Sequence, residues 1–224
     1  MSSGENLDDS VLAHIARYCL TFQEIVRHIY CPDSNPKKIL YSLRERGLVE
    51  ARAGFGGNRR AYFLTGKGAN AAGVNAKRAV PAGSDAFPTH FALLGFCCLA
   101  GKARIRLHRE EVEEALGGTP PGRYHCLESA EGRSRVFEAY VPGGNTRPQS
   151  IVERVRQSAA DARARDFLGP WIEASLYAQA VLVDSAERLQ ALLQIFSREL
   201  PNEHVHVELV PAASQLERAL HELA

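Results

Sequence analysis

From residue 9 to residue 47 the apolar positions recur at the three-to-four-residue spacing of helices. Asp9 precedes Val11, Leu12, Ile15 and Cys19, which predicts a first helix with an aspartate able to cap its first turn. Thr21-Phe22-Gln23-Glu24 has the form of a capping box, in which the Thr21 hydroxyl and the Glu24 carboxylate each satisfy an orphan amide; Phe22, Ile25, Val26 and Ile29 then share one face. That helix stops at Cys31-Pro32, because the residue before a proline is pushed out of the helical region. A third helix opens with Asn35 as cap and Pro36 at its first position, and ends at Gly47. Pro36, Ile39, Leu40 and Leu43 lie on its inner side, leaving Ser34, Lys37, Lys38, Tyr41, Ser42 and Glu45 outward.

After Gly47 the rhythm changes. Leu48 to Arg52 and Ala61 to Thr65 read as two strands around a loop with glycines at 54, 56 and 57 followed by Asn58, Arg59 and Arg60. Three helices, a strand, a loop and a strand are the order of a winged helix-turn-helix over residues 7–76. Its third helix offers cations, a hydroxyl and an aromatic to a major groove, and its wing carries arginines toward a phosphate or a minor-groove floor. Thr65 can cap a short helix to Asn75. A stretch rich in Gly, Ala, Asn and Pro, ending in Pro81-Ala82-Gly83-Ser84 and Pro88, reads as a linker over 77–89.

Residues 90–224 alternate strand and helix signals and predict a mixed α/β domain. Phe91 to Leu99 is an apolar run without a readable period. Ile105 and Leu107 suggest a short strand, Arg109 to Leu116 a helix ending at Gly117-Gly118, and Tyr124 to Glu128 and Arg135 to Val141 a hairpin. A long helix is expected from Pro148 to Phe167, a buried strand at Ala178 to Val183, a helix at Ala186 to Arg198, a strand at His204 to Val210 and a closing helix at Ser214 to Leu223.

Charge sharpens the reading of the first third. Residues 35–78 hold ten cations against Glu45 and Glu50, a balance of +8, while the rest of the chain carries 17 cations and 24 anions, or −7. Segregation of this kind suits one segment meeting a polyanion. The residues expected to touch duplex DNA are Ser34, Asn35, Lys37, Lys38, Tyr41, Ser42, Arg44, Asn58, Arg59 and Arg60. Hydrophobic and charged contents of 45% and 24% are those of a soluble globular protein, and no apolar run reaches the ~20 residues of a membrane span. With an acidic N-terminus and five cysteines lacking any Cys-x-x-Cys pair, a cytoplasmic protein with buried free thiols is expected.

Leu48-Val49 after Arg44-Glu45-Arg46-Gly47, followed by Arg60-x-Tyr62-x-Leu64-Thr65-x-x-Gly68, resembles the third helix and wing of bacterial winged-helix regulators, including MarR-type proteins and the replication-relaxation family of mobile genetic elements. The likeness covers about the first third of the chain. Behind it, the element order is similar to a restriction-endonuclease-like core, with His90 before the Phe91 run, Gly122-Arg123-Tyr124-His125 leading into the hairpin, and Phe137-Glu138-Ala139-Tyr140 as a strand. In an active nuclease of that type an aspartate and a Glu-x-Lys hold magnesium and activate water. Here Tyr140 stands where the lysine would be, and no aspartate lies between Gly122 and Glu128. The resemblance therefore implies a nuclease-like scaffold with neither a catalytic nor a metal site. His204 and His206 could pair on one strand face, but no third ligand is near in sequence and an exposed edge strand accounts for them; Glu110, Glu111, Glu113 and Glu114 suit a solvated helix face beside Arg109.

These signals together lead to the expectation of an α+β, non-enzymatic, cofactor-free regulator of a bacterial mobile element. It would bind double-stranded DNA as a repressor and homodimer, with the second domain dimerising, docking a protein or sensing a signal. An origin-binding replication or mobilisation accessory protein and a metal-dependent nuclease are the competing readings.

Overall fold

The asparagine at position 35 accepts a hydrogen bond from the Lys37 amide at 2.9 Å, and so starts the helix that carries Lys37, Lys38, Tyr41 and Arg44. In the computed structural model, which describes residues 7–55, 59–79, 86–130, 132–211 and 215–221, the chain is a mixed α+β protein with ten α-helices and two sheets among those residues. The described residues up to Leu94, together with the last helix, form one compact unit; those from Gly95 to 211 form a second.

The first unit runs α1 (Leu7–Tyr18), β1 (Thr21–Phe22), α2 (Gln23–Tyr30), α3 (Lys37–Glu45), β2 (Val49–Ala53), β3 (Arg60–Leu64) and α4 (Gly66–Ala71). β3 is the centre of an antiparallel sheet ordered β1-β3-β2, with Thr21 opposite Tyr62 and Ala51 also opposite Tyr62. Helical spacing brings Val11, Leu12 and Ile15 of α1, Val26 of α2 and Leu40 and Leu43 of α3 into one core with Val49, Tyr62 and Leu64. α3 ends as its residue pattern requires. Gly47 takes φ +68, its amide reaches the Arg44 carbonyl at 2.8 Å and the Leu48 amide reaches Leu43 at 2.9 Å.

The Thr65-x-x-Gly68 pattern has a mechanical meaning. Thr65 Oγ1 donates to the Gly47 carbonyl at 2.6 Å and accepts from the Gly68 amide at 3.0 Å, tying α4 to the end of α3. Gly68 lies so close that a Cβ there would stand 1.9 Å from the Leu48 carbonyl oxygen.

The expected capping box does not form. Thr21 is fully buried, its backbone is in β1 and its hydroxyl meets His14 Nε2 at 3.1 Å, while Glu24 turns to Arg59. The sheet and a buried imidazole outcompete a local cap whose benefit is only ~1 kcal/mol. The linker expectation also changes: residues Ala76–Ala79 make a 3-10 turn, and Phe87 already begins α5 (Phe87–Cys98), so the boundary expected at residue 90 falls inside a helix. Residues 80–85 lie outside the described part.

The second unit is built on a five-stranded sheet ordered β4 (Arg104–Leu107), β5 (His125–Ala130), β6 (Arg133–Tyr140), β7 (Tyr177–Val183) and β8 (Val205–Leu209). The first three strands run antiparallel and the last three parallel. The parallel pairs need crossovers, which α7 (Pro148–Arg163) and α9 (Ala186–Glu199) supply. Ile151, Val152 and Val155 of α7 and Leu192 and Phe196 of α9 pack on Val181 and Val183. α6 (Arg109–Leu116) contributes Val112 and Leu116 to a neighbouring cluster with Val136 and Tyr177. The long helix expected to Phe167 stops at Arg163; a 3-10 turn (Asp166–Leu168) and the short α8 (Gly169–Glu173) follow, with α10 (Leu216–His221) closing the described chain. All five cysteines are free, with Cys31, Cys97 and Cys126 buried and Cys19 and Cys98 partly so.

Candidate nucleic-acid interface

Because Leu40 and Leu43 are anchored in the core, the 100° step of α3 turns Lys37, Lys38, Tyr41 and Arg44 outward. Tyr41, an aromatic, is left 61% exposed. These four residues, with Gln23 and Glu24 from α2 and Arg59, Arg60 and Tyr62 from β3 and the residue before it, line one open groove of about 720 Å³. Lys37, Lys38, Arg44 and Arg60 make no ion pair with any described residue. Burial raises the Tyr62 phenol above its ordinary range; Arg44 and Arg60 oppose that shift and Glu24 adds to it.

Ser34 and Asn35 border a second depression beside the start of α3, which also includes Arg27 and Lys37. Asn35 spends its side-chain oxygen on the Lys37 amide. Two expected contacts are redirected by tertiary structure. Ser42 is half-buried and its hydroxyl donates to Asp8 Oδ2 at 2.7 Å, so it fastens α3 to α1; Arg46 Nη1 joins the same carboxylate at 3.1 Å. Arg59 is tied to α2: its Nε donates to Glu24 Oε1 at 3.0 Å, and only 16% of its side chain is exposed. Asn58 lies outside the described residues.

Sequence reasoning missed Gln23 and Glu24 as groove residues because Glu24 was assigned to a cap. The available signal was Thr21-Phe22, two good strand formers directly before them, which become β1 and move the start of α2 beside β3.

In the second unit, Glu138 lies opposite His125 on β5 and Gln179 on β7. It is 6% exposed, accepts from Ser158 Oγ at 2.5 Å and from Tyr177 Oη at 3.2 Å, and is roofed by Gly122, where a Cβ would meet its Oε1 at 2.4 Å. Burial raises its carboxyl, against the opposing effect of the two hydroxyl donors. His204 and His206 take separate partners, Ser175 at 3.2 Å and Glu208 at 2.7 Å. Among the described residues no group of three His, Cys, Asp or Glu side chains is placed to hold a metal ion. Arg109 and Glu113 pair at 2.8 Å, the solvated helix face expected there.

No family model, curated protein or solved structure matches this chain. No helix among the described residues is long and apolar enough to cross a membrane.

Proposed function

We propose that the first unit is a winged helix that binds double-stranded DNA, and that the protein is a sequence-specific transcriptional regulator, a repressor, of a bacterial mobile element. The observation that carries this reading is the groove of α3 and β3, where Lys37, Lys38, Arg44 and Arg60 flank the exposed Tyr41 and none of the four makes an ion pair with a described residue. Cations in such a groove suit phosphates, whose neutralisation releases condensed counterions. A protruding aromatic at the middle of the helix and a lysine in its first turn suit base edges and the thymine methyl. The order of helices and the β1-β3-β2 sheet support the winged-helix assignment.

A mobility-shift titration with duplexes from the protein's own promoter, at several salt concentrations, tests it. Binding with a steep salt slope and a clear preference over random duplex is the expected result; no duplex binding at low salt would overturn it. A homodimer, with two half-sites about one helical turn apart, is part of the same reading. A footprint at a replication origin in place of the promoter would favour the accessory-protein alternative. For the second unit, the antiparallel-then-parallel sheet supports a nuclease-like scaffold. The enclosure of Glu138 by Ser158, Tyr177 and Gly122 argues against hydrolysis there.

A further inference from the structure

We infer that Glu24, steadied by Arg59, is a base-reading residue that selects a cytosine amine in the major groove; this rests on the duplex-DNA reading of the same groove. A carboxylate beside Lys37, Lys38, Arg44 and Arg60 repels phosphate, so its presence in the groove works against non-specific binding. It is nevertheless held there firmly. Arg59 Nε fixes Oε1 at 3.0 Å, and the side chains of the pair are only 16% and 21% exposed. Glu24 Oε2 has no partner among the described residues.

An ionised carboxylate only accepts hydrogen bonds. Along the major groove the donors are the exocyclic amines of cytosine and adenine, whereas guanine N7 and O6 and thymine O4 are acceptors that a carboxylate repels. Adenine is suited to the donor-and-acceptor fork of an amide. A carboxylate with one oxygen held by Arg59 keeps its other oxygen as an acceptor and offers no donor, which matches the cytosine N4 amine. Arg59 thus acts as a positioning residue: it neutralises and orients Glu24 and is withdrawn from phosphate contact. Glu24 contributes discrimination, while the unpaired cations contribute affinity.

Selection from a randomised duplex pool, followed by anisotropy titrations of the selected duplex, its single-base variants and a random duplex, tests this with wild type and E24Q. The amide retains an oxygen for Arg59 but loses the charge and gains donors. Wild type should select cytosine at one position. E24Q should lose about tenfold or more of the discrimination at that base pair alone, bind random duplex more tightly, and show a salt slope steeper by about one as phosphates gain a cation. Should E24Q fail to fold by its melting curve, R59K keeps the question open to test, with discrimination weakened at the same position. Wild type that binds duplex with base preferences superimposable on those of the folded variant would overturn the inference and leave the DNA-binding reading intact. Wild type that binds no duplex would overturn both.

Discussion

Arg104 and Glu208 are separated by 104 residues and stand on the two outermost strands of the five-stranded sheet, yet the guanidinium grips both carboxylate oxygens, Nη1 to Oε1 at 2.6 Å and Nη2 to Oε2 at 2.9 Å. The same guanidinium reaches Glu128 at 2.7 Å and the Phe96 carbonyl at 3.2 Å, with the Phe96 ring centroid 3.8 Å away. Edges β4 and β8 can meet in this way only if the sheet curls around the end of α5. Arg104 is the clamp on that curvature.

Arg104→Met nearly keeps the side-chain volume and takes the guanidinium from Glu128 and Glu208, leaving Glu208 with the half-exposed Lys102 ammonium 3.7 Å away. A loss of about 3–5 kcal/mol is expected, read by denaturant unfolding of the full chain. Adding Glu208→Gln to it should recover part of the loss, and a double-mutant cycle measures how much.

Burial acts to raise the Glu208 carboxyl, but hydrogen bonds from His206 and Arg104 outweigh it and hold the group down at about 2. Because the folded value lies below the ordinary ~4.3, the unfolded chain binds a proton first as pH falls. The stabilisation is therefore complete above about 4.3 and lost as pH drops toward 2. An acid titration followed by near-ultraviolet circular dichroism should show this loss, and Glu208→Gln should remove that part of the pH dependence.

His14 behaves with the same direction at higher pH. Burial, reinforced by Arg17, lowers its imidazole to about 3, and it lies against the Tyr18 and Tyr30 rings at 4.8 and 5.5 Å. The unfolded histidine protonates near 6.5, so the stability of the first unit should be full above that pH and fall below it, by up to about 1.4 kcal/mol per pH unit. The double variant His14→Phe with Thr21→Val removes both partners of the buried hydrogen bond and should flatten the melting temperature between pH 6.5 and 4.

The groove predicts unequal consequences for neighbouring residues. Lys37→Ala or Arg60→Ala should weaken duplex binding at every sequence and lower the salt slope by about 0.9 each. Tyr41→Ala should cost about 1–3 kcal/mol only on duplexes carrying the preferred bases. Ser42→Ala should leave DNA affinity nearly unchanged and shift the melting curve, since its hydroxyl is bonded to Asp8.

Gly68→Ala tests the lock behind the interface. With a Cβ 1.9 Å from the Leu48 carbonyl oxygen, backbone must move, and a cost of about 1–3 kcal/mol is expected at unchanged denaturant slope. DNA affinity should fall with it, because the Leu48 amide is bonded to the Leu43 carbonyl in the last turn of α3.

Much of this architecture was legible along the chain, since local chemistry and local spacing decide it. The period of Leu40 and Leu43, the cap at Asn35 and the stop at Gly47 determined α3 and which of its side chains face outward; alternation and turn residues determined β2, β3 and most of the second sheet. Tertiary structure decided the rest. Thr21 paired with His14 and β3 in place of capping a helix, Ser42 turned to Asp8, and Arg59 was taken by Glu24. Phe87–Cys98 had no readable period because Phe91, Leu93, Leu94 and Phe96 are all buried, and a helix covered all round shows no polar stripe. Spacing along the sequence specifies which groups a helix or strand presents, but partners such as Arg104 and Glu208 become neighbours only when distant segments fold together, and that choice depends on burial and charge summed over the whole unit.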